Sequence, residues 1–202
     1  MLIDFSSISP RNAYQWMTHT IIPRPIAWVS TISAEGVTNL APFSFFQGIT
    51  ANPPTLMFVP VNTREGKKKD TLRNIEAVPE FVVNLVTHPA AAAMNETAAS
   101  LPYGESEFSK FGIEPIASEK VRPPRVAGSP VAFECRLDRI VQIGGGPIAA
   151  NVVFGRILMA HIADSVIGPG GLPDAAKLDL VGRLGGEDYA TTRDRFNLVR
   201  PD

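Results

Sequence analysis

Proline makes up 18 of the 202 residues, well above its average share of ~5%. Each proline fixes φ and removes a backbone donor, so it interrupts helix interiors and central strands alike. A chain punctuated this often must build from short elements separated by structured loops. That favours a β-rich fold with long connections over a helical bundle. The length suits one domain, large enough to bury about 70% of the surface that its unfolded form exposes without a disulfide or metal staple.

The order of elements sharpens this expectation. Residues 26–32 (Ile-Ala-Trp-Val-Ser-Thr-Ile) are β-branched and aromatic, and Ser33-Ala-Glu-Gly36 closes them as a hairpin turn, with the return starting at Val37. Pro42 demotes residues 41–46 to an edge or bulge, and Asn52-Pro-Pro54 precedes another apolar strand over 55–59. Residues 70–77 carry helix formers behind a capping Asp or Thr and stop at Pro79. A strand follows over 81–86, then an alanine-rich helical stretch over 89–99 and a polar, proline-containing excursion over 101–124. Two long strand-like runs, 131–143 and 151–162, flank Gly144-Gly-Gly-Pro147 as a hairpin. The tail from Gly168 is irregular, with a short helix over 174–180. Strands in succession with helices inserted argue for an antiparallel barrel and against a doubly wound sheet.

Lys+Arg 19 against Asp+Glu 20 leaves a net charge of −1. Neither a nucleic-acid partner nor an anionic membrane surface is expected, since both favour a basic patch. No run approaches the ~20 apolar residues of a membrane span, and the N-terminus lacks a basic segment followed by a long apolar one. The lone Cys135, inside an apolar run, gives no sign of an oxidising compartment. The expected location is the cytoplasm.

Several catalytic signatures are missing. Gly144-Gly-Gly-Pro lacks the Lys-Ser/Thr of a P-loop, Gly182-Arg-Leu-Gly-Gly lacks Rossmann spacing, and no Gly-x-Ser-x-Gly elbow occurs. His19, His88 and His161 are scattered, so no metal site is expected.

A different constellation stands out. Pro23-Arg-Pro-Ile-Ala-Trp-Val-Ser-Thr31 is followed by Gly36-Val-Thr-Asn-Leu-Ala-Pro-Phe-Ser-Phe-Phe46, Asn52-Pro-Pro54 and Lys69-Asp-Thr71 with Asn74-Ile75. Glu80-Phe-Val-Val-Asn-Leu85, Pro102-Tyr-Gly-Glu-Ser-Glu-Phe108, a hairpin through Gly155 to His161, and Gly182-Arg-Leu-Gly-Gly-Glu-Asp-Tyr189 complete the series. In this order the segments resemble the flavin reductase-like proteins, the FMN-binding split-barrel family, over most of the chain. The resemblance implies one domain over 1–202, mainly β, a six-stranded antiparallel Greek-key split β-barrel with a few short helices. It also implies a homodimer with one FMN per subunit near the interface.

By the same resemblance, Ser30 and Thr31 would offer hydroxyl and N–H groups to the FMN phosphate or ribityl chain. Asn39, Ala41, Phe43 and Ser44 would run along the ring edge, and Lys69, Asp70 and Thr71 would lie by the phosphate at a helix start, a natural anion site. Arg24 is a further phosphate candidate, and Arg183 would close over the cofactor with Tyr189. Each has a plainer alternative: Arg24 solvated between prolines, Lys67 to Lys69 a solvated charge run, Phe43, Phe45 and Phe46 core residues, Arg183 paired with a carboxylate. His161 is the candidate catalytic residue, placed near flavin or nicotinamide, or else a structural histidine. The account depends on the segments around Ser30, Ser44 and Lys69 converging.

The implied activity is that of an NAD(P)H-dependent flavin oxidoreductase: hydride passes from NADH or NADPH to FMN N5, and onward to free flavin, a monooxygenase or another acceptor. Positioning two rings needs no dedicated acid or base. The alternatives are an FMN electron carrier without nicotinamide activity, and a barrel holding another ligand such as haem on His161 or His88.

Overall fold

An antiparallel sheet of seven strands organises the chain, and the computed structural model describes residues 1–201. In chain order the strands are β1 (Ala27–Ile32), β2 (Thr38–Phe43), β3 (Phe46–Ala51), β4 (Pro54–Phe58), β5 (Glu80–Leu85), β6 (Val131–Ile143) and β7 (Ala150–Ile162). In space they run β2-β1-β5-β6-β7-β4-β3. The two outer strands, β2 and β3, are separated in sequence only by Ser44 and Phe45. A sheet whose edges are joined by two residues must curl until those edges nearly meet. Each of the two pairs only with its inner neighbour, so the curled sheet is split along one seam.

The sheet has seven strands where the resemblance implies six. Residues 41–46 do not form one element: they end β2, turn at Ser44–Phe45 and begin β3. Pro42 sits where its missing donor does no harm. The amide of Leu40, two residues earlier on the same side, points away from β1 and donates to a side chain, so Pro42 also faces the open edge.

The curled sheet encloses a core of Ala27, Val29, Leu56, Phe58, Phe81, Val83, Cys135 and Val153, all 0–2% exposed. These come from alternate positions of β1, β4, β5, β6 and β7, as period-2 patterning requires. The rings of Phe43, Phe58 and Phe81 form a chain through it, with centroids 5.1 and 5.3 Å apart. Helix α2 (Asp70–Ala77) adds Leu72 and Ile75 to the cluster from one face. Burial pushes the Cys135 thiol far up, with the Glu134 charge adding to the effect, so this cysteine is inert core.

The opposite faces of β1 and β5 are also buried. Ile26, Trp28, Leu40, Val86, Met94, Phe108, Ile113 and Val126 form a second cluster there. Its cover is largely the 101–124 excursion, which contains the short helix Glu107–Lys110 and the strand Pro115–Ile116, paired as a two-stranded ribbon with Arg125–Val126 just beyond it. Asn84 ties the layers together, donating to the Trp28 carbonyl (3.0 Å) and accepting from the Val126 amide (2.9 Å). The excursion is therefore a second wall of the structure.

The N-terminal helix α1 (Pro10–Thr20) and a three-stranded ribbon, Arg24–Pro25, Val181–Arg183 and Tyr189–Thr191, lie at another side. Among the described residues no helix is long and apolar enough to cross a membrane.

Candidate functional site: a cleft at the split seam

Where β2 turns into β3 the curled sheet opens into a cleft of about 920 Å³. That is near the upper end of the ~300–1,000 Å³ typical of small-molecule sites. Its walls come from β2 and the corner (Asn39, Ala41, Pro42, Phe43, Ser44, Phe45), the loop and start of α2 (Lys67 to Thr71, Arg73), and the excursion side (Thr97 to Leu101, Tyr103, Glu107). Tyr14 of α1 reaches the rim, its ring 6.5 Å from that of Phe45.

One end of the cleft is cationic. Lys67, Lys68, Lys69 and Arg73 all line it. Lys68 is held by Glu76 at 2.6 Å and Arg73 lies 3.4 Å from Asp70. Lys67 and Lys69 have no ion pair among the described residues. Lys69 is the N-cap of α2 and its side chain makes no capping bond, so the first amides of the helix and two uncommitted cations share one place. Helix N-termini carry partial positive charge, which makes this end suited to an anion. Asn39 donates to the Thr71 hydroxyl at 3.0 Å and so pins β2 to the helix start.

The other end offers donors without charge. Ser44 and Phe45 lie between two strands, and neither of their amides donates a hydrogen bond among the described residues. The Phe43 ring turns inward onto Phe58, and Ala41 and Pro42 present small apolar surface beside them. A planar ring lying here would find an apolar support and two free amides.

The predicted residues divide into two groups. Asn39, Ala41, Phe43, Ser44, Lys69, Asp70 and Thr71 line this cleft together. Arg24, Ser30, Thr31, Arg183 and His161 are elsewhere. The Arg24 guanidinium is buried, donating to the carbonyls of Ile21 (3.0 Å) and Leu184 (2.8 Å) and weakly to Ser44 Oγ (3.4 Å). It ties α1, the tail and the seam corner together. Ser30 is fully buried and donates to the Pro124 carbonyl beneath the excursion. Thr31, equally buried, accepts from Asn74 of α2 at 3.1 Å. Arg183 stacks on Tyr189, 4.4 Å from its ring centroid, and donates to the Gly186 carbonyl. So the segments around Ser44 and Lys69 converge, whereas Ser30 and Thr31 act from behind, holding excursion and helix in place.

His161 lies 2.5 Å from the fully buried Glu134, whose carboxylate also accepts from the amides of Glu119 (2.8 Å) and Lys120 (2.6 Å). It is a clasp on the excursion, away from the cleft. Burial alone would raise the Glu134 pKa, but the Glu119 amide, His161 and the Lys120 amide outweigh it and hold the carboxyl below its usual range. A carboxylate with a lowered folded pKa stabilises above its unfolded value, about 4.3, and that stabilisation fades as pH falls through the folded value. Glu134→Gln is therefore expected to flatten the acid side of the stability profile below about pH 4, read as urea midpoints across pH. An unchanged acid limb would show that the clasp contributes nothing.

Sequence reasoning did not assign Lys67, Lys68, Arg73, Tyr103 or Glu107 to the site. The run Lys67-Lys-Lys69 is plain in the sequence, but only the structure shows that all three lysines line the cleft.

The family model of the flavin reductase like domain matches residues 17–173. The chain belongs to the flavin reductase-like family. Among its relatives, the protein YwrF of Bacillus subtilis is 36% identical over 99% of this chain and 98% of its own length. Nitrilotriacetate monooxygenase component B from Bacillus cereus superposes with a TM-score of 0.92 at 36% identity, covering 98% of both chains. The 2-nitrobenzoate 2-nitroreductase NbaA of Pseudomonas fluorescens superposes with a TM-score of 0.85 at 30% identity, over 100% of this chain and 96% of that one. For a flavin reductase-like chain the cleft has a fitting donor set: cations and helix amides for a phosphate at one end, apolar support with free amides for a ring at the other.

Proposed function

We propose that the protein is an NAD(P)H:flavin oxidoreductase that holds FMN in the seam cleft. The observation that carries this reading is the pairing of a cationic helix start, at Lys67 to Thr71, with the unbonded amides of Ser44 and Phe45 in one cleft. Lys69, Lys67 and the first amides of α2 would hold the phosphate, the charged donors giving the stronger bonds. Ala41 to Phe45 would support the ring, with the Ser44 and Phe45 amides directed at the edge where negative charge builds on reduction. Bound FMN would supply a two-electron acceptor for hydride from nicotinamide. The protein's part is placement: the ring is fixed against the seam, and the remaining width of the cleft, bordered by Tyr14 and the 97–101 segment, receives the second ring.

Loss of His161 from the site removes no step, because hydride transfer needs no protein acid or base. It also weakens the haem reading, since the histidine is committed to Glu134. The onward acceptor would be free flavin or a partner oxygenase; the B. cereus relative is itself named as a monooxygenase component. The same reading takes residues 1–202 as one domain acting as a cytoplasmic homodimer.

The test is to mix the purified protein with FMN and then NADH or NADPH. Expected are quenched flavin fluorescence and steady loss of nicotinamide absorbance. Binding without turnover would leave an FMN electron carrier; no binding would end the proposal. Sedimentation should show twice the 21.8 kDa chain mass, and a monomer would remove the dimer.

A further inference from the structure

Glu107 is out of character with the cleft it lines. The other charges at that end are mainly cationic, yet this glutamate, only 5% exposed, is set into the wall beside Asn39 and Thr71. Its Oε2 accepts from the Leu40 amide at 2.8 Å. From other residues its carboxylate receives no further hydrogen bond among the described residues. Burial pushes the carboxyl above its usual range, partly offset by the Leu40 amide and its own amide, while the Asp70 charge pushes it further up. A carboxyl kept buried against that tendency, in a wall built for an anion, calls for a counterpart that is neither a phosphate nor an apolar ring.

Its position along β2 says what that counterpart is. Asn39, bonded to Thr71, marks the cationic end; Ser44 and Phe45 mark the ring end. Glu107 bonds at Leu40, one residue inward from the cationic end. A ligand with its phosphate at α2 and its ring at the corner must carry its linker past this level. Hydroxyls are both donors and acceptors, so a polyol linker matches a carboxyl in either protonation state.

We propose that Glu107 binds the ribityl hydroxyls of the flavin and makes the site selective for flavins that carry this polyol chain. The assignment rests on the flavin reading above, and its test separates the two. Wild type and Glu107→Gln are titrated with FMN, riboflavin (polyol, no phosphate) and lumiflavin (neither), following flavin fluorescence. Glutamine keeps the shape and an acceptor for Leu40 but loses the carboxylate. A hydrogen bond involving a charged group is worth roughly a tenfold change or more in affinity. Glu107→Gln should therefore weaken FMN and riboflavin about tenfold or more and leave lumiflavin unchanged. Circular dichroism and the urea midpoint of the variant should match wild type.

An equal loss for all three flavins would mean that Glu107 only holds β2, and would overturn the proposal. So would unchanged riboflavin and FMN affinity, in which case a wild type that binds flavins keeps the broader function. A wild type that binds none of the three would overturn both.

Discussion

Phe81→Ala is expected to lower the unfolding free energy by about 3–5 kcal/mol, a large share of the ~5–15 kcal/mol that holds a domain folded. The ring is fully buried, meets Phe58 edge-on at 5.3 Å, and fills the space against which Gly155 of β7 packs. A Cβ built on Gly155 would stand 2.2 Å from Phe81 Cζ, a distance no relaxed structure allows. Gly155→Ala alone should consequently cost about 1–3 kcal/mol or more by overpacking. In the Phe81→Ala background the same methyl finds room, so its cost should vanish or change sign. Urea unfolding of the four proteins, compared at constant slope, gives the coupling. Strictly additive costs would show that ring and glycine do not share that space.

Much of this architecture can be read from the sequence. The β-branched and aromatic run over 26–32, the strand over 81–86, the hairpin around Gly144, and the switch to helical patterning at Asp70 all correspond to elements of the structure. What escaped was of two kinds. Helix α1, which the sequence expectation lacks, does carry a local signal: Ser9 accepts from the Asn12 amide and Pro10 occupies the first turn. The split of 41–46 into two strands carries no local signal, because Pro42 is equally compatible with a bulge and with an open edge. Only the pairing of β3 with β4, through Phe46 opposite Phe58, decides it.

The candidate cleft was legible where a continuous segment lines it, and obscure where its wall depends on distant packing. Asn39 to Ser44 and Lys69 to Thr71 stand together because a strand edge and a helix start each present consecutive residues to one space. Ser30 and Thr31 belong to the same strand pair yet face the two buried sides of β1. One lies under the excursion and the other against α2, and no spacing rule reveals that a strand is covered on both faces. Glu107 was hidden for the converse reason: it lies on a short helix of a segment with no recognisable period, brought to β2 by the burial of Phe108 in the second cluster.

Lys69→Ala is expected to weaken FMN binding roughly 10- to 100-fold, the worth of one hydrogen bond to a charged group. Lys69 is exposed, free of ion pairs among the described residues, and stands at the helix start. No described residue forms an ion pair with it, and its removal should leave the fold intact. Lys68, committed to Glu76 at 2.6 Å, should matter less: Lys68→Ala is expected to show a clearly smaller loss. On the proposed placement the lost contact is to the phosphate, so riboflavin affinity should be the same in Lys69→Ala and wild type, and the mutation should erase the preference for FMN over riboflavin. The FMN preference of the wild type should also shrink as salt rises from physiological strength toward 1 M, where the screening length falls from about 8 to about 3 Å. Equal losses for FMN and riboflavin would place Lys69 at the ring or the linker. No loss for either would return the run from Lys67 to Lys69 to a solvated surface and leave the cleft without its anion-binding end.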